Sequence, residues 1–323
     1  MKINIVYILI FFVVIIYSCG NESSGDKIYV DSIAVDENIS PLFITVLQDF
    51  TCRFQNNKLN YKISTTRNTT SEFVGADIKM ILISREFDNE EGSKLNENKI
   101  EYNDFPVAYD AIGFIVNPDN PVERITSDDI KKIFSGEYKL WTDLNVLLER
   151  GVDSLEQNKA VQKIMKGNER NIKLFIQRQN SSVFSYVKDS VMLGTDYSKS
   201  AQICSTSVQM LESVRKNKGA IGIINLCWLA KGEADKLDST VKPLRISKIF
   251  SNGKRDEFRQ LHQGLVATKK YPYIRKVMLY TTTIASKLNS GFINYLLKTN
   301  GQESVLKWGL VPATQPVRTI QLN

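Results

Sequence analysis

The chain has 323 residues, with 42 Lys plus Arg, 35 Asp plus Glu, one His and four Cys, and 42% hydrophobic and 24% charged residues. This balance excludes collagen-like, coiled-coil, fully disordered and polytopic membrane classes, and at about 100–200 residues per domain the length points to two domains. The net charge of +7 suits attraction to an anion without implying nucleic acid, and a single His excludes a multi-His metal site within one chain.

Residues 3–17, from Ile3 to Tyr17, carry only Asn4 as a clearly polar residue, follow Lys2 and lead into Ser18-Cys19-Gly20. A short basic start, an apolar stretch of this length and a small residue before the cut are the order of a secretory signal. At about 1.5 Å rise per residue the stretch is short for a ~30 Å hydrocarbon layer, so a cleavable segment is the better reading. Apolar-x-Ser-Cys-Gly resembles the lipobox of bacterial lipoproteins, which implies a signal over 1–18, acylation of Cys19 and a polar tether over 19–26. The expected protein is a periplasmic or cell-surface globule held at a membrane through that lipid alone. Cys52, Cys204 and Cys227 are left, an odd number at wide spacing that makes no disulfide framework. Cys227, in the apolar run from Ala220 to Trp228, reads as a buried inert thiol.

From residue 27 onward short β-type runs alternate with helix-type stretches, the pattern of an α/β fold. Lys27–Val30 predicts a first strand. Leu42, Val46, Leu47, Phe50 and Phe54 recur at near-helical spacing and predict a helix with one face on a sheet. Tyr61–Ser64 and Met80–Ile83 predict further strands, the latter buried on both faces. Tyr109–Pro118 reads as another strand, closed by a Pro-bearing turn. Thr126-Ser127-Asp128-Asp129 is a cap and acidic first turn for a helix over 130–134, and Gly136 ends it. Residues 158–168 are polar and helix-compatible.

No phosphate-loop, dinucleotide-binding or Gly-x-Ser-x-Gly motif occurs, and no nucleophile–base pair can be assembled, so the residues argue for no enzyme, metal or cofactor. His262 lies in a polar stretch and reads as a surface residue. Three loops rich in small polar residues stand before helix-type runs: Asp36-Glu37-Asn38-Ile39-Ser40, Ser84-Arg85-Glu86, and Arg178-Gln179-Asn180-Ser181-Ser182. A helix N-terminus offers unpaired N–H groups and a positive dipole end, so Ser or Asn there can cap the helix or hold an anion. Arg178 adds a planar charged fork suited to oxyanions.

The stretch Asp110 to Pro121, then Ile133-Phe134-Ser135-Gly136-Glu137-Tyr138-Lys139-Leu140-Trp141, Gly219-Ala220-Ile221-Gly222-Ile223, Tyr271-Pro272-Tyr273-Ile274-Arg275 and Gly309-Leu310-Val311-Pro312-Ala313 resemble, in order and spacing, the phosphate-binding proteins of phosphate ABC transporters, the PstS family. The resemblance implies a two-lobe periplasmic-binding-protein fold with crossing hinge strands. It places lobe one at 27–111 plus 275–323 and lobe two at 112–274. It also implies inorganic phosphate or a related anion as ligand, an inner-membrane ABC permease as partner, and a monomer. Its site would comprise Glu37, Asn38, Ser84, Arg85, Arg178, Asn180, Ser181 and Ser182. The family usually carries Gly-Ser-Gly-Thr after its cleft Arg, whereas here Asn180-Ser181-Ser182-Val183 follows, and Glu37 and Asn38 stand where Ser or Thr is usual. Glu37 can be read as the acceptor for the proton of monohydrogen phosphate, or as a charge that repels a dianion in a chain reused as a sensor or partner-binding lipoprotein.

Overall fold

A computed structural model describes residues 29–144, 167–230, 232, 236–283 and 287–314. The expected signal segment, Cys19 and the tether lie outside the described residues, as does most of 158–168.

The first part of the chain forms β1 (Tyr29–Asp36), α1 (Ser40–Arg53), β2 (Asn57–Ser64), α2 (Thr66–Val74), β3 (Met80–Ile83), α3 (Asn89–Glu97) and the long strand β4 (Tyr102–Val116). The middle follows with β5 (Arg124–Thr126), α4 (Ser127–Ser135), β6 (Lys173–Gln177), α5 (Ser182–Ser190), β7 (Gln202–Cys204), α6 (Ser207–Lys216), β8 (Ala220–Asn225) and α7 (Leu226–Ala230). The chain then runs through β9 (Lys242–Pro243), β10 (Arg245–Ser247), α8 (Gln263–Ala267), β11 (Ile274–Thr282), α9 (Lys287–Leu297), α10 (Thr299–Lys307) and β12 (Val311–Pro312). The main sheet has the order β2-β1-β3-β11-β4-β8-β6-β7, and β5 with β10 makes a separate parallel pair.

Two strands carry the connection between the halves. From Tyr102 to Ala111, β4 runs antiparallel to β11, and from Ile112 to Val116 it runs antiparallel to β8. On the outer side of each half the strands are parallel, β1 with β2 and β3, and β6 with β7 and β8. Parallel strands need crossover helices, which explains the β–α alternation read from the sequence. The strand expected from Tyr109 begins seven residues earlier at Tyr102. Pro106 obscured it, because a proline has no N–H for a ladder; the register shifts at Val277/Met278, opposite that proline, to accommodate it.

Side chains on β1 alternate between two apolar layers. Ile33 and Val35 pack with Leu42, Phe43, Phe50 and Phe292 from α1 and α9. Ala34 faces the other way, with Phe73 of α2 and Leu95 of α3. A further core gathers Ile112, Phe114, Trp141, Ile176, Val183 and Ile223, all from the middle of the chain. The split of cores follows the division of β4 near Ala111 and Ile112, and the result is two lobes of α/β structure joined by β4 and β11.

The α4 start was legible in detail. Thr126 Oγ1 accepts from Asp129 N (3.1 Å), and Asp129 Oδ2 accepts from Thr126 N (3.2 Å) and Oγ1 (2.7 Å). Gly136 ends the helix at φ +83°, and a Cβ there would stand 2.5 Å from Ser198 Oγ. Thr126→Ala is expected to cost about 0.5–2 kcal/mol in urea unfolding, with Thr126→Ser retaining most of the stability; a Thr126→Ala protein as stable as wild type would contradict the capping role.

Cys52 is exposed, Cys204 and Cys227 are buried, and all three are free thiols. Burial pushes the Cys227 thiol above its ordinary range, consistent with an inert group. His262 is exposed and caps α8, its Nδ1 accepting from Gly264 N at 3.1 Å.

Candidate functional site

The carboxyl ends of the parallel strands face one another across β4 and β11, so the junctions leading into the helices of both lobes meet at one place. From the first lobe come Asp36 at the end of β1, Asn38 in the turn that follows it, Thr66 at the start of α2 and Ser84 after β3. From the second come Ser181 and Ser182 at the start of α5. All six are buried. Asn38 Nδ2 donates to Ser181 Oγ (3.1 Å) and Ser182 Oγ (3.2 Å), and Ser182 N donates to Thr66 Oγ1 (2.9 Å). The Ser84 and Ser182 hydroxyls are 2.8 Å apart. Ser181 caps α5 by accepting from Val183 N (3.2 Å), while its own hydroxyl donates to Gln177 Oε1.

Beneath this cluster lies a buried ion pair between the two crossing strands. Arg275 of β11 donates through Nε (3.2 Å) and Nη2 (3.0 Å) to Asp110 Oδ2 of β4, with side-chain exposures of 2% and 0%. Its remaining Nη1 donates to Ser182 Oγ at 2.8 Å. Asn225 at the end of β8 donates to Asp110 Oδ2 (2.9 Å) and to the Asn38 carbonyl (2.8 Å). A charge this far from water is tolerable because most of its donors have acceptors.

The arginines and the glutamate singled out in the sequence sit at the edge of the cluster. Arg85 is engaged by Glu91 through two 2.6 Å hydrogen bonds. Arg178 joins the cluster through its carbonyl, which accepts from Ser181 N at 3.0 Å, and its charge acts on Glu37 from a distance. Glu37 turns toward the second lobe, where Oε1 accepts from Ser207 N (2.9 Å) and Oε2 from Ser207 Oγ (3.1 Å) at the start of α6. Burial raises its carboxyl above the usual range, against the lowering effect of the Ser207 N–H. Asn180 contributes its carbonyl, which accepts from Arg67 N at 3.1 Å. A cavity of about 180 Å³ opens beside Thr66, Arg67, Arg85, Asn180 and Ser182 at the mouth of the cleft.

The model of the PBP superfamily domain matches residues 27–300. The chain belongs to the PBP superfamily. It is 24% identical over 226 residues to the phosphate-binding protein PstS of Staphylococcus saprophyticus, covering 70% of this chain and 61% of that one. With PstS of Staphylococcus haemolyticus the identity is 25%, covering 72% and 65%, so the match spans less than two thirds of the length of either relative. A protein from Clostridium perfringens, assigned to phosphate ABC transport as its substrate-binding component and solved with bound phosphate, superposes with a TM-score of 0.69 at 19% identity, covering 88% of this chain and all of that one. An ABC-type phosphate transport receptor from Vibrio cholerae superposes at 0.61 with 14% identity, again over 88% of this chain and 100% of that chain. At these identities the superpositions establish the fold: the two-lobe periplasmic-binding-protein fold with crossing strands.

Within this PBP-superfamily fold the structure brings together Asn38, Ser84, Ser181 and Ser182, and leaves Glu37, Arg85, Arg178 and Asn180 around them. It also adds Asp36, which opens the first of the three loops without having been assigned to the site, and Thr66, Asp110 and Arg275, which residue chemistry alone did not single out. Thr65-Thr66 after the β2 run carried a cap signal that would have marked α2 as another anion-ready start: Thr65 accepts from Asn68 N. Asp110 and Arg275 lie 165 residues apart in sequence, and only the pairing of β4 with β11 joins them.

Proposed function

We propose that the protein captures inorganic phosphate, or a closely related oxyanion, in the cleft between lobe one (27–111 plus 275–323) and lobe two (112–274). It would pass the anion to an inner-membrane ABC permease, working as a monomer held at the membrane through an acylated Cys19. The observation that carries this reading is the convergence of Asn38, Thr66, Ser84, Ser181 and Ser182 from both lobes over the Arg275 guanidinium. Hydroxyls and helix starts bind oxyanions without a full counter-charge, because N–H and O–H dipoles aim at one point. Closure of two lobes on a solute then follows from donors that neither lobe supplies alone.

The PstS names of the Staphylococcus relatives and the phosphate-bound Clostridium structure support phosphate as the first anion to test. No helix among the described residues is long and apolar enough to cross a membrane. Asn38 Oδ1 is buried and has no partner among the described residues. It is therefore an acceptor for the proton of monohydrogen phosphate, a proton that sulfate lacks.

Calorimetric titration of the purified chain with phosphate and with sulfate tests the reading. Heat with phosphate and at least about tenfold weaker binding of sulfate is the expected result. Absence of phosphate binding up to millimolar concentration, in wild type and in the Asp36 variants introduced below, would overturn it.

A further inference from the structure

The donors that would grip an oxyanion are already engaged by a carboxylate of the chain itself. Asp36 Oδ2 accepts from Thr66 Oγ1 (2.8 Å), Ser84 N (3.3 Å), Ser84 Oγ and Ser182 Oγ (3.1 Å). Asp36 Oδ1 accepts from Asn38 N (3.1 Å) and Nδ2 (3.0 Å). These six donors come from the turn after β1, from α2, from the loop after β3 and from the start of α5, so the carboxylate collects both lobes. The residue is fully buried.

Proton directions make this arrangement specific. Ser182 Oγ receives hydrogen bonds from Arg275 Nη1 (2.8 Å) and Asn38 Nδ2 (3.2 Å), so its own proton is directed to Asp36 Oδ2 or to Ser84 Oγ. Ser84 Oγ in turn donates to Asp36 Oδ2. The hydroxyls of Thr66, Ser84 and Ser182 thus converge on Asp36 Oδ2, a carboxylate oxygen, as they would on an oxygen of a bound oxyanion. Asp36 needs no rare backbone conformation to be there: it is the extended residue (φ −62°, ψ 129°) that caps the short turn over 37–39.

We propose that Asp36 is a tethered anion that occupies the cradle when no solute is bound, ties the lobes together through Ser182, and must leave before a free oxyanion can enter. The residue therefore sets solute affinity. This rests on the reading of the cleft as an oxyanion site. A carboxylate on the chain competes at an effective concentration that a free solute cannot match when dilute. Two anions cannot share the same donors, because like charges at contact in a dry cleft repel strongly. The apparent affinity for phosphate is then the intrinsic affinity reduced by the small fraction of molecules in which Asp36 has swung out.

The test compares wild type, Asp36→Ser and the near-isosteric Asp36→Asn, each checked for native circular dichroism, by phosphate calorimetry and by small-angle scattering with and without phosphate. The expected result is at least about tenfold tighter phosphate binding by Asp36→Ser, and a change in the same direction for Asp36→Asn. Scattering should show wild type already closed without phosphate and Asp36→Ser open until phosphate is added. Should Asp36→Ser misfold, the Asp36→Asn affinity decides alone. Equal or weaker phosphate binding by the folded variants overturns the proposal, since Asp36 would then assist the solute. An open wild-type cleft without phosphate overturns it as well. If no protein binds phosphate but the scattering contrast between wild type and Asp36→Ser remains, the phosphate reading fails and the tether stands.

Discussion

Replacing Arg275 by Ala lowers the unfolding free energy by about 3–5 kcal/mol, because it leaves Asp110 charged, buried and short of two donors. The pair is inaccessible on both sides, and both guanidinium contacts to Asp110 fall on Oδ2. What remains on that oxygen is Asn225 Nδ2 at 2.9 Å, too little to hold a carboxylate in a dry site. Ser182 loses a donor in the same step, so the cleft is disturbed along with the hinge. Urea unfolding followed by far-ultraviolet circular dichroism measures the loss. The double substitution Arg275→Met with Asp110→Leu should recover a large part of it, since an apolar pair of similar volume carries no desolvation cost. A single Arg275→Ala variant within about 1 kcal/mol of wild type would show that water reaches Asp110 and that the pair contributes little, as exposed pairs do.

Phe292→Ala is expected to cost about 3–5 kcal/mol through the cavity it leaves in the first lobe. Phe292 is fully buried on α9 and meets Phe50 at 5.3 Å and Phe43 at 6.0 Å between ring centroids, both edge to face. The three rings join α9 to α1 above Ile33 and Val35, so no flexible surface group can collapse into the space. Phe292→Leu should lose distinctly less, because most of the volume stays filled. Urea midpoints of the two variants at equal slope check the ranking. A loss below about 1.5 kcal/mol for Phe292→Ala would mean that the α1–α9 contact is loosely packed.

Local chemistry was readable wherever one element decides it. The Met80–Ile83 strand, the Thr126 cap with its Gly136 stop, the helix after Asn38 and the helix starting at Ser182 each follow from nearest-neighbour sterics, side-chain period or capping. The α/β class followed from their alternation. The small polar loops were legible as helix starts able to receive an anion, and four of their residues, Asn38, Ser84, Ser181 and Ser182, meet in space. Longer-range choices were not legible. Arg178 and Arg85 looked like the cationic side of a cleft, yet Arg85 is taken up by Glu91 six residues away, while Arg275 of the returning strand reaches Ser182.

By itself, then, the sequence determined an α/β alternation with capped helix starts, because propensity, period and capping act over a few residues, and the two lobes were what the family resemblance implied. Only the tertiary structure decided which charge lies where. A carboxylate or guanidinium takes its partner from whatever the crossing strands bring within about 3 Å. That choice placed Glu37 on Ser207, Asp110 on Arg275, and Asp36 among the hydroxyls of both lobes.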